Sequence, residues 1–247
     1  MPIVNIKGKA YETGLVIFDK DGTILDFKAT WIDIIDEFIQ SLCRRTNLEG
    51  SIRSSIENAL GISIEKAQID GYGPLAMGTY EQCNTLVTYC LYREGIRWDK
   101  AWQIAREAGT DVFSSDIRRK SVKPSHGALK LLQTLKSRGI SIAIATNDKR
   151  DDAVMDMRQI GAYDYIDLVI GADSVENPKP APDMIRVICS HLKKEAKDCV
   201  MVGDTTIDAI MGKNSGIMLN IGISGILPAK ALEEYMDVVI SDLDDIS

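Results

Sequence analysis

Hydrophobic and polar positions fall into two textures along the chain. From residue 125 onward, short apolar runs alternate with stretches of helical period. Residues 125–139, SHGALKLLQTLKSRG, put Ala128, Leu131, Leu132 and Leu135 on one helical face and stop at Gly139. The run that follows, ISIAIAT at 140–146, is short, β-branched and apolar on both faces, as a strand inside a parallel sheet is. Helical signals at 148–161, 181–195 and 206–216 alternate with strand signals in YIDLVIGAD (165–173), DCVMVGD (198–204), IMLNIGI (217–223) and DVVIS (237–241). An earlier apolar run at residues 14–18 supplies the first strand. The alternation predicts an α/β fold, a doubly wound and mainly parallel Rossmann-like sheet.

Between that first strand and residue 125 the texture changes. Residues 29–47, 50–61, 79–95 and 98–119 all show helical periodicity, with glycine or polar breaks between them and no convincing strand. The expected organisation is an α/β core made of residues 1–26 and 122–247, carrying an inserted α-helical domain over 27–121. The Gly-rich turn DGYGPLAMGTY at 70–80 reads equally as a loop that meets a ligand or as a plain interhelical turn.

With 45% hydrophobic and 26% charged residues the chain has the make-up of an ordered soluble protein. A net charge of -7 without a basic stripe argues against nucleic-acid binding, and the basic segment at 115–123 reads as a solvated turn. Five scattered cysteines without a C-x-x-C read as reduced thiols of a cytoplasmic protein. The first residues lack the pattern of a signal peptide, and no apolar run approaches membrane-spanning length. The oligomeric state stays open.

Chemistry concentrates at the strand ends. In doubly wound sheets ligands bind beyond the carboxyl ends of the strands. Reading those ends collects Asp19, Asp21 and Thr23 after the first strand, Thr146 and Asn147 after the second, Lys179 downstream of the third, and Asp204 with Asp208 after the fourth. Singly, an Asp caps a helix, a Thr-Asn pair makes a turn and a lysine between prolines is solvated. Two carboxylates one residue apart at the end of an apolar strand are costly without a cation, and GDTTID repeats that cost at a second strand. Mg²⁺ resolves it, taking oxygens from Asp19, Asp204 and Asp208. Lys179, the Thr146 hydroxyl and the amides near Gly22 and Asn147 then suit a bound phosphoryl group.

DKDGT, then TN, then KP, then GDTTID, in this order, resemble the motifs of the haloacid dehalogenase-like hydrolase superfamily, and the helical insertion resembles its C1-type cap. The resemblance implies a phosphatase in which Asp19 is the nucleophile and forms an aspartyl-phosphate. Asp21 is implied as general acid and base, its carbonyl touching Mg²⁺. Gly22, Thr23, Thr146, Asn147 and Lys179 are implied in phosphate binding, and Asp204 and Asp208 in the metal site. An acid at position 21 disfavours the superfamily's dehalogenases and phosphonatases. TNDKR resembles the phosphoglycolate phosphatase branch, so the expected substrate is a small phosphorylated metabolite, phosphoglycolate-like or a sugar phosphate. The alternatives are a phosphomutase of the β-phosphoglucomutase type and, from another class, a receiver-like phospho-Asp switch or an inactive phospho-ligand binder.

Overall fold

The computed structural model of the protein describes residues 2–48, 50–113 and 116–247. Residues 114 and 115, within the helical stretch expected over 98–119, lie outside them. The chain divides into two compact units, Met1–Phe27 with Pro124–Ser247, and Lys28–Lys123.

The first unit opens on an antiparallel hairpin, β1 (Ile3–Ile6) with β2 (Lys9–Glu12). Its turn needs two residues at positive φ, Lys7 and Gly8. Val4 and Ile6 face inward, and Asn5 exchanges backbone hydrogen bonds with the terminal Ser247. No element is expected here from the sequence, because a Lys-Gly turn lacks the usual Asn-Gly or Asp-Gly signal. Next comes β3 (Leu15–Phe18), buried at all four positions.

The second unit is mainly helical: α1 (Phe27–Thr46, whose first residue belongs to the first unit), α2 (Ser51–Leu60), α3 (Pro74–Met77), α4 (Tyr80–Arg93), α5 (Trp98–Phe113) and α6 (Asp116–Ser121). Along α1 the buried positions Trp31, Ile34, Ile35, Ile39 and Leu42 follow the helical period. Thr79 and Gln82 form a reciprocal cap that starts α4. Two expectations are corrected in this unit. A small hairpin, β4 (Ile62–Ser63) with β5 (Gln68–Ile69), stands where no strand is expected, its two-residue strands being too short to show a period. The basic segment is the helix α6 rather than a solvated turn. Arg118 is buried there, with its guanidinium 4.6 Å from the centroid of the Phe113 ring.

The rest of the first unit alternates as expected: α7 (Ala128–Ser137), β6 (Ser141–Ala145), α8 (Arg150–Gln159), β7 (Leu168–Ile170), α9 (Asp183–Leu192), β8 (Cys199–Gly203), α10 (Thr206–Ser215), β9 (Leu219–Ile223), the short α11 (Ala229–Leu232) and β10 (Val238–Ile240). The sheet order is β10-β9-β8-β3-β6-β7, and every pairing is parallel. Strand progression reverses between β3 and β8, so the crevice beyond their carboxyl ends is the switch point of this sheet. On one face Leu15, Ile17, Ala143, Ala145, Met201 and Cys199 pack against Met184, Ile185 and Ile188 of α9. Among the described residues no helix is long and apolar enough to cross a membrane.

Candidate active site

Two glycines shape the crevice. The amide of Asp19 donates to Val202 O at 2.8 Å, carrying the β3–β8 pairing one residue past the strand. The chain then folds tightly, with Leu25 N donating to Lys20 O and Gly22 N to Leu25 O, each at 2.8 Å. Gly22 sits at φ +85°, and a Cβ there would run into the Asp204 carboxylate, so only glycine satisfies both the turn and the approach. At the end of β8, a Cβ on Gly203 would overlap Asp208. Asp208 bends back over the start of α10, where its Oδ2 accepts from Thr205 N at 3.1 Å and from Thr205 Oγ at 2.6 Å.

Lys179 reaches this crevice from the loop between β7 and α9. Its Nζ donates to Asp19 Oδ1 at 2.5 Å and to Asp208 Oδ1 at 2.6 Å, and the side chain is buried. Burial alone would lower the lysine's pKa, but Asp19 and Asp208 outweigh it and hold the ammonium charged. Asp19 is pushed up to about 7, first by burial and further by Asp208 and Asp21, with Lys179 opposing. Asp204 is raised well above the carboxylate range, again first by burial, then by Asp19 and Asp208.

Asp19, Asp204 and Asp208 each bring an oxygen within 4.8 Å of the others. One lysine faces three acids. Both oxygens of Asp204 are buried with no hydrogen-bond partner among the described residues, a cost that native interiors rarely carry without an ion or water. An all-oxygen donor set with excess negative charge suits a hard divalent cation. Asp208 differs from its neighbours, because both its oxygens already accept from Lys179 or Thr205.

Of the residues singled out from the sequence, Asp19, Lys179, Asp204 and Asp208 come together in this cluster. Asp21 turns toward Lys20, whose Nζ lies 2.6 Å from its Oδ2. Its pKa is raised, mainly by burial, against the opposing charge of Lys20. Thr146 and Asn147 stand at the end of the adjacent strand β6, where the Thr146 hydroxyl accepts from Asp148 N at 3.2 Å. Thr23 is fully enclosed, its hydroxyl without a hydrogen-bond partner among the described residues. Sequence reasoning missed Thr205, which holds Asp208, and the group of Lys20, Asp148 and Asp156. The one available signal was Lys20 itself, a cation set between the two acids that follow a wholly apolar strand.

The sheet order and the acidic, lysine-bridged crevice at its switch point define an α/β enzyme core. Comparison with known proteins gives the family: the haloacid dehalogenase-like hydrolase family matches residues 13–216, and the chain belongs to it. It is 32% identical over 229 residues to the probable phosphatase IndB of Dickeya dadantii, covering 92% of this chain and 89% of that one. It is 31% identical over 105 residues to the phosphoglycolate phosphatase of Rhodobacter capsulatus, covering 42% of this chain and 46% of that one. The crystal structure of a predicted phosphoglycolate phosphatase from Haemophilus somnus superposes with a TM-score of 0.70 at 15% identity, over 94% of this chain and 96% of that one. At that identity the likeness concerns the fold.

Proposed function

We propose that the protein is a Mg²⁺-dependent phosphatase that hydrolyses a small phosphorylated metabolite through an aspartyl-phosphate on Asp19. The observation that carries the reading is the pairing of Asp19 with the buried cation Lys179, beside an Asp204 whose two oxygens lack hydrogen-bond partners among the described residues. Hydrolysis of phosphate monoesters is among the slowest uncatalysed reactions, so the site must both position the groups and neutralise charge.

In the first step an Asp19 oxygen attacks phosphorus, the bond to the leaving oxygen breaks, and Asp21 gives that oxygen its proton. In the second, Asp21 takes a proton from water while the water oxygen attacks phosphorus, releasing Asp19 and inorganic phosphate. Lys179 opposes the upward push of burial on Asp19, holds that carboxylate in place and faces the phosphoryl oxygens. Thr146, with the amides around Asn147, Gly22 and Thr23, offers further donors. When bound, Mg²⁺ held by Asp19, Asp204 and the Asp21 carbonyl supplies positive charge to the phosphoryl oxygens, with Asp208 keeping the set in place. The helical unit acts in this reading as the cap that selects the leaving group. A carboxylate-bearing, phosphoglycolate-like substrate is favoured by the TNDKR segment and by the partial match to the Rhodobacter capsulatus phosphoglycolate phosphatase.

Phosphate release from a panel of metabolite monoesters, with Mg²⁺ or with a chelator, tests this. The expected result is metal-dependent release that falls at least ~10³-fold in Asp19→Asn. Release that survives that substitution, or no release from any ester, rejects the reading.

A further inference from the structure

Lys20 stands one residue past a strand whose four residues are all buried, between Asp19 and Asp21, and it is itself fully buried. Three carboxylates from three segments surround this ammonium, with Asp156 accepting a hydrogen bond from it and Asp148 making an ion-pair contact. Nζ lies 2.6 Å from Asp21 Oδ2 in the loop after β3, 3.0 Å from Asp148 Oδ2 in the loop after β6, and 2.9 Å from Asp156 Oδ2 on α8. Asp156 is buried as deeply as the sheet core. Stability does not call for such a group, since replacing a buried ionic cluster by apolar side chains of similar size is commonly neutral or favourable. What the cluster does accomplish is geometric: a cation anchored by Asp148 and Asp156 grips one oxygen of Asp21 and fixes the carboxyl group against rotation.

We propose that Lys20, anchored by Asp148 and Asp156, is a positioning residue that holds the Asp21 carboxyl where it meets the leaving oxygen. The inference rests on the reading of Asp21 as proton carrier. In that role the same carboxyl serves two successive steps, giving a proton and then taking one, and a displacement of about 1 Å can cost on the order of 10²-fold.

Leaving groups separate this role from mere support of the fold. An aryl oxygen departs without a proton, whereas an alkyl oxygen needs one. The full-length protein with Mg²⁺ is assayed on p-nitrophenyl phosphate and on a set of primary alkyl phosphates that includes 2-phosphoglycolate. In Lys20→Met, kcat/KM, which reports the first step, is expected to fall about 10²-fold on alkyl esters and less than about tenfold on the aryl ester, whereas any loss in the second step is common to both classes. Equal losses on both classes overturn the proposal. If Lys20→Met cannot be recovered folded, Asp156→Asn, which keeps side-chain volume and leaves the lysine in place, is read on the same pair. A bias against alkyl esters supports the proposal, and equal losses or none overturn it. Asp21→Asn separates the two levels of the account: if it shows no alkyl bias, the role of Asp21 fails and the proposal with it. If Asp21→Asn shows the bias and the Lys20 and Asp156 variants do not, only the proposal fails.

Discussion

Asp204 concentrates the physical argument in one side chain. It is 1% exposed, and neither of its oxygens has a hydrogen-bond partner among the described residues. Burial of this kind has a defined consequence for pH. Asp19 titrates near 7 in the folded protein against an ordinary value of 3.8, so the native state holds a proton that the unfolded chain has already lost. Stability is therefore present at low pH and lost as pH rises through that window, and Asp204 acts in the same direction. Melting curves of the metal-free protein between pH 5 and pH 8 are expected to show a falling Tm, less steep in Asp204→Asn. Added Mg²⁺ is expected to raise Tm more at pH 8 than at pH 5. A Tm that climbs with pH in the metal-free wild type contradicts the assignment. In the activity assay, Asp204→Asn is expected to raise the Mg²⁺ needed for half-maximal rate at least about tenfold.

Much of the candidate cluster could be read from single residues in sequence. Asp19, Asp204 and Lys179 were visible because strand ends mark where ligands bind, and because paired acids after apolar runs demand compensation. The group of Lys20, Asp148 and Asp156 was not visible. Its members lie 128 and 136 residues from the lysine, and only the parallel pairing of β3 with β6 and the return of α8 bring them to one point. The engagement of Asp208 with Thr205 was equally hidden, since an Asp three residues into a helix reads the same whether it caps or binds a metal.

Among the elements, the buried strands were the most legible, their apolar runs being unlike anything in the helical unit. Short elements stabilised by tertiary context were not: the β1–β2 hairpin and the two-residue strands β4 and β5. The turn after β3 shows how much a single element boundary can carry. Alanine at any left-handed glycine costs about 1–2 kcal/mol, but Gly22 also leaves no room beside Asp204, whereas Gly139 at φ +74° has open space. Gly22→Ala is expected to lower Tm more than Gly139→Ala and to impair phosphate release, while Gly139→Ala keeps full activity. Equal effects on both properties would mean that the contact between the turn and Asp204 is unimportant.

For the whole molecule, the order β10-β9-β8-β3-β6-β7 unites the account. It brings Asp19 and Asp204, far apart in sequence, to the ends of adjacent strands at the point where the winding reverses, and it brings in Thr146 one strand away. The most direct measurement of the central claim is chemical capture of the phosphorylated side chain. The protein is mixed with Mg²⁺ and a hydrolysable phosphate ester, quenched in acid within one turnover, reduced with borohydride and mapped by mass spectrometry. An acyl phosphate is reduced to an alcohol, so the account predicts homoserine at position 19, absent without substrate and absent in Asp19→Asn. Modification at any other residue, or active turnover with position 19 left untouched, would contradict it.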